Sequence, residues 1–486
     1  MPCLVGCEAD FFCGMINKTV NGDSVAPYAK LFFGDPENPD ITVGNNSAPA
    51  WNNTAIIKSL QIGASDGAGV RVEVLDELGG SFHLFVEKIS KCMERTKDES
   101  IMGVEWGWIV SNCDGSNYVV RSPKVYFLPI HLEVNMADGK IKFVIEGADS
   151  MQAVFAARHD DIEGDDKLKV SLKAAIIALA NKKSPKFTVD FLRKEKNGTL
   201  TTFGFKEGKN GMGPEDVWDC DGQHKLATIQ KWIEPFRTDR NKGIISMWDA
   251  SEPGNPRLIL MEDPQSDCDE GESPCSSSLG TYIVNGGNCS PVISFNPTIN
   301  FVEGFAHLTT GGNSGGAGSG ETVKSEKKCI SAQDTQTGIL QSIPVTKNAW
   351  NAFGPKNSTK ESMKGQAAHI RANLAQKEIK AELRIQGDVR EEFVHPKLMK
   401  DKFVSLIVIN PYHIFGEDCG DWLAQPGCNE ILSNRSWRVM GCDHMIKEGS
   451  FVTTLQLQLF TPGLTGDSGA PFGGPGSGGY VPTNTC

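Results

Sequence analysis

The chain lacks any apolar stretch long enough to cross a bilayer as a helix. Its longest helical apolar run, Ala174–Ala180, falls far short of the roughly 20 residues that a span requires, so no membrane anchor is expected. It has no excess of positive charge either: 48 Lys and Arg stand against 60 Asp and Glu, a formal net charge of -12. That balance excludes a protein that grips nucleic-acid phosphates over a wide surface, and leaves room for one past which DNA slides without sticking. The opening Met1-Pro2-Cys3-Leu4 has neither the basic nor the apolar segment of a secretory signal. Its 14 cysteines are therefore expected to be reduced thiols, and Asn-x-Ser/Thr triplets such as Asn52-Asn53-Thr54 to be chance matches. No Cys-x-x-Cys pair occurs, and the spacings of Cys3, Cys7 and Cys13, and of Cys268, Cys275 and Cys289, fail for a zinc finger. The best remaining group is Cys419, Cys428, Cys442 and His444; whether it forms a metal site, a disulfide or neither stays open.

What is present is a chain of 486 residues, 39% hydrophobic, enough for three or so domains with their own cores and too apolar to be disordered throughout. Residues 1–50 are turn-rich. From about 55 to 147 the text reads as strands: Ala55–Ile62, Val70–Leu78, Phe82–Ile89 and Val104–Val110. A hairpin follows, with arms Ile130–Asn135 and Lys140–Glu146 joined through Ala137-Asp138-Gly139, since Asp-Gly supplies the positive φ of a tight turn. Ile130, Leu132 and Val134 are expected to face a core together with Ile141, Phe143 and Ile145.

The period then changes. Leu168, Leu172, Ala175, Ile176 and Leu179 recur at helical spacing, between Asp165-Asp166 and Lys182-Lys183, and a second helix runs near Leu226–Ile233. Strands follow at Arg257–Met261 and Val292–Phe295. The Gly-rich run within Thr309–Ser325 reads as a flexible linker or loop. Beyond it come a helix at Gln366–Ala375 and strands near Ile379–Gln386, Phe403–Ile409, Trp437–Cys442 and Phe451–Phe460, then a Gly/Pro tail. The expected fold is mainly β with an α+β insertion: two small antiparallel β-barrels plus a mixed middle module. The divisions are 1–155 for the first barrel, 156–308 for the mixed module, 309–328 for the linker, 329–460 for a second barrel, discontinuous if it borrows strands from before the linker, and 461–486 for the tail.

Motifs that could carry chemistry fail one by one. Gly466-Asp467-Ser468-Gly469-Ala470-Pro471 resembles the nucleophile segment of trypsin-like proteases, and Ala367-Ala368-His369 mimics the histidine segment. A catalytic serine, however, needs a rigid barrel and an oxyanion hole around it, and too little chain follows Ser468 to supply the missing strands. Gly204–Lys209 has the wrong length for a phosphate loop and lacks the Ser or Thr that would bind magnesium. The loop around Asp219-Cys220-Asp221-Gly222 would place Val217 and Thr228 at the first and last ligand positions, where a calcium loop needs carboxylates. The acidic cluster Asp160, Asp161, Glu163, Asp165 and Asp166 reads as a solvated helix start that complements the helix dipole. No catalytic residue, cofactor site or metal site is singled out, and the chain is not expected to be an enzyme.

The third part is the informative one. A strand ending in Gly-Asp, Ile379–Asp388, is followed by Phe403–Asn410, by Ser436-Trp437-Arg438-Val439, and by His444-Met445-Ile446-Lys447-Glu448-Gly449-Ser450-Phe451-Val452-Thr453-Thr454-Leu455-Gln456-Leu457. This order resembles the closing barrel of the tail hub proteins of contractile-tailed bacteriophages, the late-control-D family, and of the related spike-hub proteins of type VI secretion. The resemblance extends loosely to the strands of 55–147. The hallmark positions are Trp437, Val439, His444, Gly449, Phe451, Thr453 and Leu455. Trp437 and Val439 alternate on one strand, Phe451, Thr453 and Leu455 on the next, and Gly449 permits the turn between them. His444 is expected to be a hydrogen-bonded residue near that turn rather than a metal ligand.

The resemblance implies a structural role. The chain would be a homotrimer whose paired barrels form a pseudo-sixfold ring, linking a tail tube protein to a central spike and meeting other baseplate proteins. DNA would pass through the lumen without tight binding, and the location would be the virion tail baseplate, assembled in the host cytoplasm. The alternatives are another virion protein, of capsid or receptor-binding type, and a hub that also cleaves cell wall.

Overall fold

The computed structural model describes residues 24–34, 39–45, 55–64, 69–77, 79, 82–93, 102–111, 116–149, 167–169, 171–182, 186–195, 199–205, 217–219, 224–233, 238–240, 244–249, 251, 255–262, 278–285, 290–299, 309–313, 320–324, 379–395, 402–408, 435–447 and 449–459. The fold is predominantly β. The first eight strands are β1 (Ser24–Gly34), β2 (Pro39–Gly44), β3 (Ala55–Gly63), β4 (Gly69–Asp76), β5 (Met102–Ser111), β6 (Asn117–Arg121), β7 (Val125–Ala137) and β8 (Lys140–Ala148). Seven of them close on themselves in the order β3-β2-β1-β5-β7-β8-β4-β3, with β6 paired to the far end of β5. Alternation is the reason the barrel forms. Val70, Val72 and Val74 on β4 turn inward while Arg71 points out, and β3 repeats the pattern with Leu60 and Ile62 against Gln61.

The stretch Phe82–Ile89, expected as a strand, lies instead in a helix, α1 (Phe82–Met93). Phe85 is fully buried there, its ring 5.6 Å from Phe33 and 5.0 Å from Phe143, with Phe82 also 5.6 Å from Phe143. Phe82, Phe85, Val86 and Ile89 sit at helical spacing, and that period outweighs the apolar content that suggested a strand.

The β7–β8 hairpin turns at Asp138 (φ 53) and Gly139 (φ 72), both left-handed. Its register pairs Leu132 with Ile145 and Val134 with Phe143, but a bulge between Pro129 and His131 removes Ile130 from the ladder. Ile130 is 56% exposed and Val134 37%, against expectation. The cause is position: β4 flanks β8 from Ile141 to Ala148, whereas β5 pairs with β7 only as far as Phe127, so the far half of β7 has β8 alone beside it.

The mixed unit follows. Its strands are β9 (Lys167–Lys169), β10 (Thr188–Lys194), β11 (Leu200–Thr202), β12 (Val217–Asp219), β13 (Ile244–Asp249) and β14 (Arg257–Glu262), and its helices are α2 (Leu172–Asn181) and α3 (Lys225–Ile233). Four strands make one sheet, β11-β10-β14-β13, with β10 and β14 parallel; β9 pairs with β12. Leu168, expected in the first helix, lies on β9, and Ser171 caps α2 by accepting the Ala174 N–H at 3.4 Å. Leu172, Ile176 and Leu179 of α2 and Leu226, Ile229 and Trp232 of α3 share a core with Phe191, Leu258 and Leu260 of the sheet.

The last strands are β15 (Ser278–Val284), β16 (Val292–Ile299), β17 (Thr309–Asn313), β18 (Gly320–Lys324), β19 (Ile379–Gln386), β20 (Phe403–Val408), β21 (Arg435–Lys447) and β22 (Ser450–Leu459). β17 and β18 pair antiparallel, so the flanks of the Gly-rich run form a ladder where composition alone suggested a linker. The second, barrel-like unit is the strand series β15-β20-β21-β22-β19-β16, in which β15 and β20 are parallel and the other pairs antiparallel. Two of its strands thus precede the Gly-rich run. Leu383, Leu406, Trp437, Val439, Leu455 and Leu457 fill its interior. The expected helix at Gln366–Ala375, the Cys419–Cys428 stretch and the segment around Ser468 lie outside the described residues.

Candidate functional site: the joint between the barrels and the face they share

β21 belongs to both units. Its first half, Arg435–Arg438, pairs with β20, and its second half, Asp443–Lys447, pairs with β3 of the first barrel from Gly63 to Ser59. β22 runs along its other side from Trp437 to Lys447. One hydrogen-bonded sheet therefore crosses from barrel to barrel, and the Ala64 N–H extends the crossing by donating to the Cys442 carbonyl at 2.6 Å.

Three of the hallmark residues, His444, Phe451 and Thr453, meet at this crossing. His444 is 1% exposed, its ring 5.0 Å from Trp106 of β5 and 6.1 Å from Phe451. Its Nε2 lies 2.9 Å from the Phe393 carbonyl oxygen, an acceptor only, so Nε2 carries the proton and donates. Nδ1, 3.0 Å from Thr453 Oγ1, is then the acceptor of the Thr453 hydroxyl. Thr453 Oγ1 in turn accepts the Asp388 N–H at 2.8 Å. Asp388, fully buried, holds Arg390 through Nε at 2.9 Å and Nη2 at 2.8 Å. Arg390 donates onward to the Leu279 carbonyl at 2.6 Å and the Tyr282 hydroxyl at 3.0 Å, which ties the Gly-Asp segment to β15.

A second thread crosses beside it. The Trp108 indole N–H donates to the Gly387 carbonyl at 2.9 Å, and the Gly387 N–H donates to the Phe451 carbonyl at 2.9 Å. Phe451 packs its ring 5.2 Å from Trp108 and, with Val389, Val394 and Ile446, enters the core of the first barrel. Gly387 is needed here because a Cβ would lie 2.1 Å from the Phe451 ring. Gly449, at φ 80, makes the β21–β22 turn. Trp437, Val439 and Leu455 lie apart from the joint, fully buried in the second core.

Burial controls the chemistry. It pushes the His444 imidazole down to about 4, against the pull of the Phe393 carbonyl, so the ring is neutral near pH 7. Burial, followed by the nearby Asp443 and Asp388 charges, pushes the Cys442 thiol well up. Cys442 is free, and its Sγ lies 3.5 Å from His444 Nε2. With both ring nitrogens committed to protein groups, His444 is spoken for as a ligand, and among the described residues no cluster of His, Cys, Asp and Glu is placed to hold a metal ion. Arg390, Tyr282, Trp106 and Trp108 escaped the sequence reading. Arg390 stands two residues after the noticed Gly387-Asp388, which was the one available signal.

The opposite face of the shared sheet is largely polar across both barrels, interrupted by Val144 on β8 and by Met445, 43% exposed, with Val452 where β21 and β22 pair. From β8 to β19 it carries Lys142 and Glu146, Arg71 and Glu73, Ser59 and Gln61, Lys447 and Asp443, Thr454 and Gln456, then Lys380, Glu382 and Arg384. Its charges are largely answered in place: Arg71 pairs with Glu146, Lys142 with Glu73, and Gln456 donates to Asp443 at 3.1 Å.

No protein-family model and no curated protein matches the chain. Among solved structures it is similar to a tail protein from Neisseria meningitidis MC58, at 10% identity and TM-score 0.47 over 92% of this chain and 100% of that one. It is similar to a 43 kDa tail protein of prophage MuSo2 from Shewanella oneidensis, at 11% identity and TM-score 0.44 over 90% and 100%. A third is an Escherichia coli component of the type VI secretion system, at 5% identity and TM-score 0.38 over 87% and 79%. The structural neighbours are tail and secretion proteins. No helix among the described residues is long and apolar enough to cross a membrane.

Proposed function

We propose that the chain is a structural hub of a contractile phage tail. Three copies form a ring in which each contributes two barrels, giving pseudo-sixfold symmetry, and the ring joins the tail tube to the central spike within the baseplate. The observation that carries this reading is the crossing at β21: two β units of one chain are held in one continuous sheet, as a ring built from paired barrels requires. The polar face of that sheet suits a DNA channel. Its cations alternate with Glu73, Glu146, Asp443 and Glu382, so a passing duplex meets no run of free positive charge able to release its counterions and bind. The hallmark residues act structurally, Trp437, Val439 and Leu455 as core and His444, Phe451 and Thr453 at the joint. The role is architectural rather than catalytic, with assembly in the host cytoplasm before incorporation into the virion tail.

Native mass spectrometry of the purified chain, alone and with its candidate spike, tests the proposal. A trimer that takes up one trimeric spike is expected, with a ring of sixfold outline by electron microscopy. A monomer that stays monomeric at assembly concentrations and ignores the spike overturns it, and cell-wall cleavage by the purified chain would transfer the role to a hub with hydrolase activity.

A further inference from the structure

We propose that His444 makes the joint between the two barrels an acid-sensitive latch, whose protonation releases the second barrel from the first. The geometry makes a second proton on the ring costly. Nε2 already donates to the Phe393 carbonyl, and Nδ1 takes the hydroxyl proton of Thr453, whose oxygen also accepts the Asp388 N–H. A proton on Nδ1 sets donor against donor. Thr453 must then turn its hydroxyl away, and the acceptor in reach is the Asp388 carbonyl at 3.4 Å, the long end of a hydrogen bond.

Nothing charged compensates the imidazolium. From the segment after β19, the Asp388 carboxylate faces inward but is committed to Arg390, which also engages Tyr282 of β15. β5 presents the Trp106 ring, and its Glu105 is bound to Tyr28 and Arg121. β3 presents Ile62 as the cross-strand partner of His444, and β22 presents Thr453 and Phe451. Its own strand contributes the Cys442 thiol, while Asp443 and Lys447 lie on the polar face with their partners. What the proton disrupts is the contact holding the units together, because the His444 ring sits against Trp106, and Thr453 positions the segment whose Gly387 carbonyl holds Trp108.

The sign follows from burial. The neutral ring is favoured in the closed joint, so the latch holds fully above the ordinary histidine range and weakens as pH falls toward about 4. Relative to pH 7, the opening equilibrium should rise about 20-fold at pH 5 and about 100-fold at pH 4, taking about 6.5 for the open joint.

Cys442 reports the opening, being fully buried with its sulfur against the His444 ring. The full chain is labelled with dithiodipyridine, which reacts with thiols in acid, and the Cys442 peptide is quantified by mass spectrometry from pH 7 to 4 with circular dichroism alongside. The expected result is a labelling rise of the stated size with β structure retained, and a flat profile in His444→Gln, whose amide can make both bonds without titrating. Histidine C2–H exchange by mass spectrometry gives a second readout that needs no variant, and should find His444 titrating well below the exposed histidines. Labelling that stays constant to pH 4, an equal rise in His444→Gln, global loss of β structure in step with labelling, or ordinary titration of His444 would each overturn the latch.

Discussion

Gly387→Ala adds one methyl group at the centre of the joint, and its consequence can be worked out atom by atom. The new Cβ would lie 2.1 Å from Cδ1, 2.2 Å from Cγ and 2.5 Å from Cδ2 of Phe451. Carbon atoms in contact prefer about 3.5–4.0 Å, so the ring must retreat by more than 1 Å, roughly, or the backbone must give. Neither is free to move. Phe451 is 2% exposed, packed at a tilt against Trp108, and the Gly387 backbone is tied at both its N–H and its carbonyl. Overpacking of this kind costs about 1–3 kcal/mol, and the Trp108 hydrogen bond stands to be lost with it. The assay is urea denaturation of the full chain followed by circular dichroism, for Gly387→Ala, Phe451→Ala and the double variant. Phe451→Ala alone should cost about 3–5 kcal/mol. With the ring gone the extra methyl group has space, so Gly387→Ala should be nearly neutral in that background. Equal effects of Gly387→Ala in the two backgrounds would refute the steric reasoning, and a cost below about 0.5 kcal/mol in the parent chain would do the same.

Three further outcomes are expected. Trp437→Ala, which empties a fully buried site in the second core, should cost about 3–5 kcal/mol and abolish ring assembly in sedimentation, whereas Lys447→Ala on the polar face should change stability by less than about 0.5 kcal/mol. Glu262→Gln should destabilise the mixed unit by about 1.5–3 kcal/mol in thermal unfolding, because it removes the buried charge bonded to Nε of Arg193 at 2.6 Å and leaves the guanidinium, 6% exposed, with Asp239 as its remaining carboxylate partner. Gly139→Val should loosen the β7–β8 hairpin, since φ 72 is hostile to a β-branched residue, while Asp138→Gly should leave it intact; amide exchange along Lys140–Glu146 separates the two.

Local chemistry was legible wherever a few neighbouring residues decide the outcome. Asp138-Gly139 dictates a left-handed turn by sterics alone, Gly449 does the same before β22, and alternation along β4, β19 and β22 as far as Leu457 reveals which side chains face a core. The Gly-Asp and His-to-Thr segments were recognisable as a pattern, yet nothing in their spacing said that they touch. The same limit explains α1. Phe82–Ile89 has residues apolar enough for a strand, and Phe33 and Phe143, far away in the chain, settle the matter by burying one helical face. Ile130 and Val134 show the converse, two residues with the right alternation left exposed because β5 stops pairing at Phe127.

The joint belongs wholly to tertiary structure. Trp108 and Gly387 are 279 residues apart, and Asp388 and Thr453 are 65 apart. Which residue answers a buried N–H across such distances depends on how β21 divides its two halves between β20 and β3, a choice made by two cores packing at once. Sequence by itself determined the β character, the turns and the inward faces, because sterics and solvent act on each residue where it stands. That a histidine lies neutral between two barrels was decided only when both barrels closed around it and water was excluded.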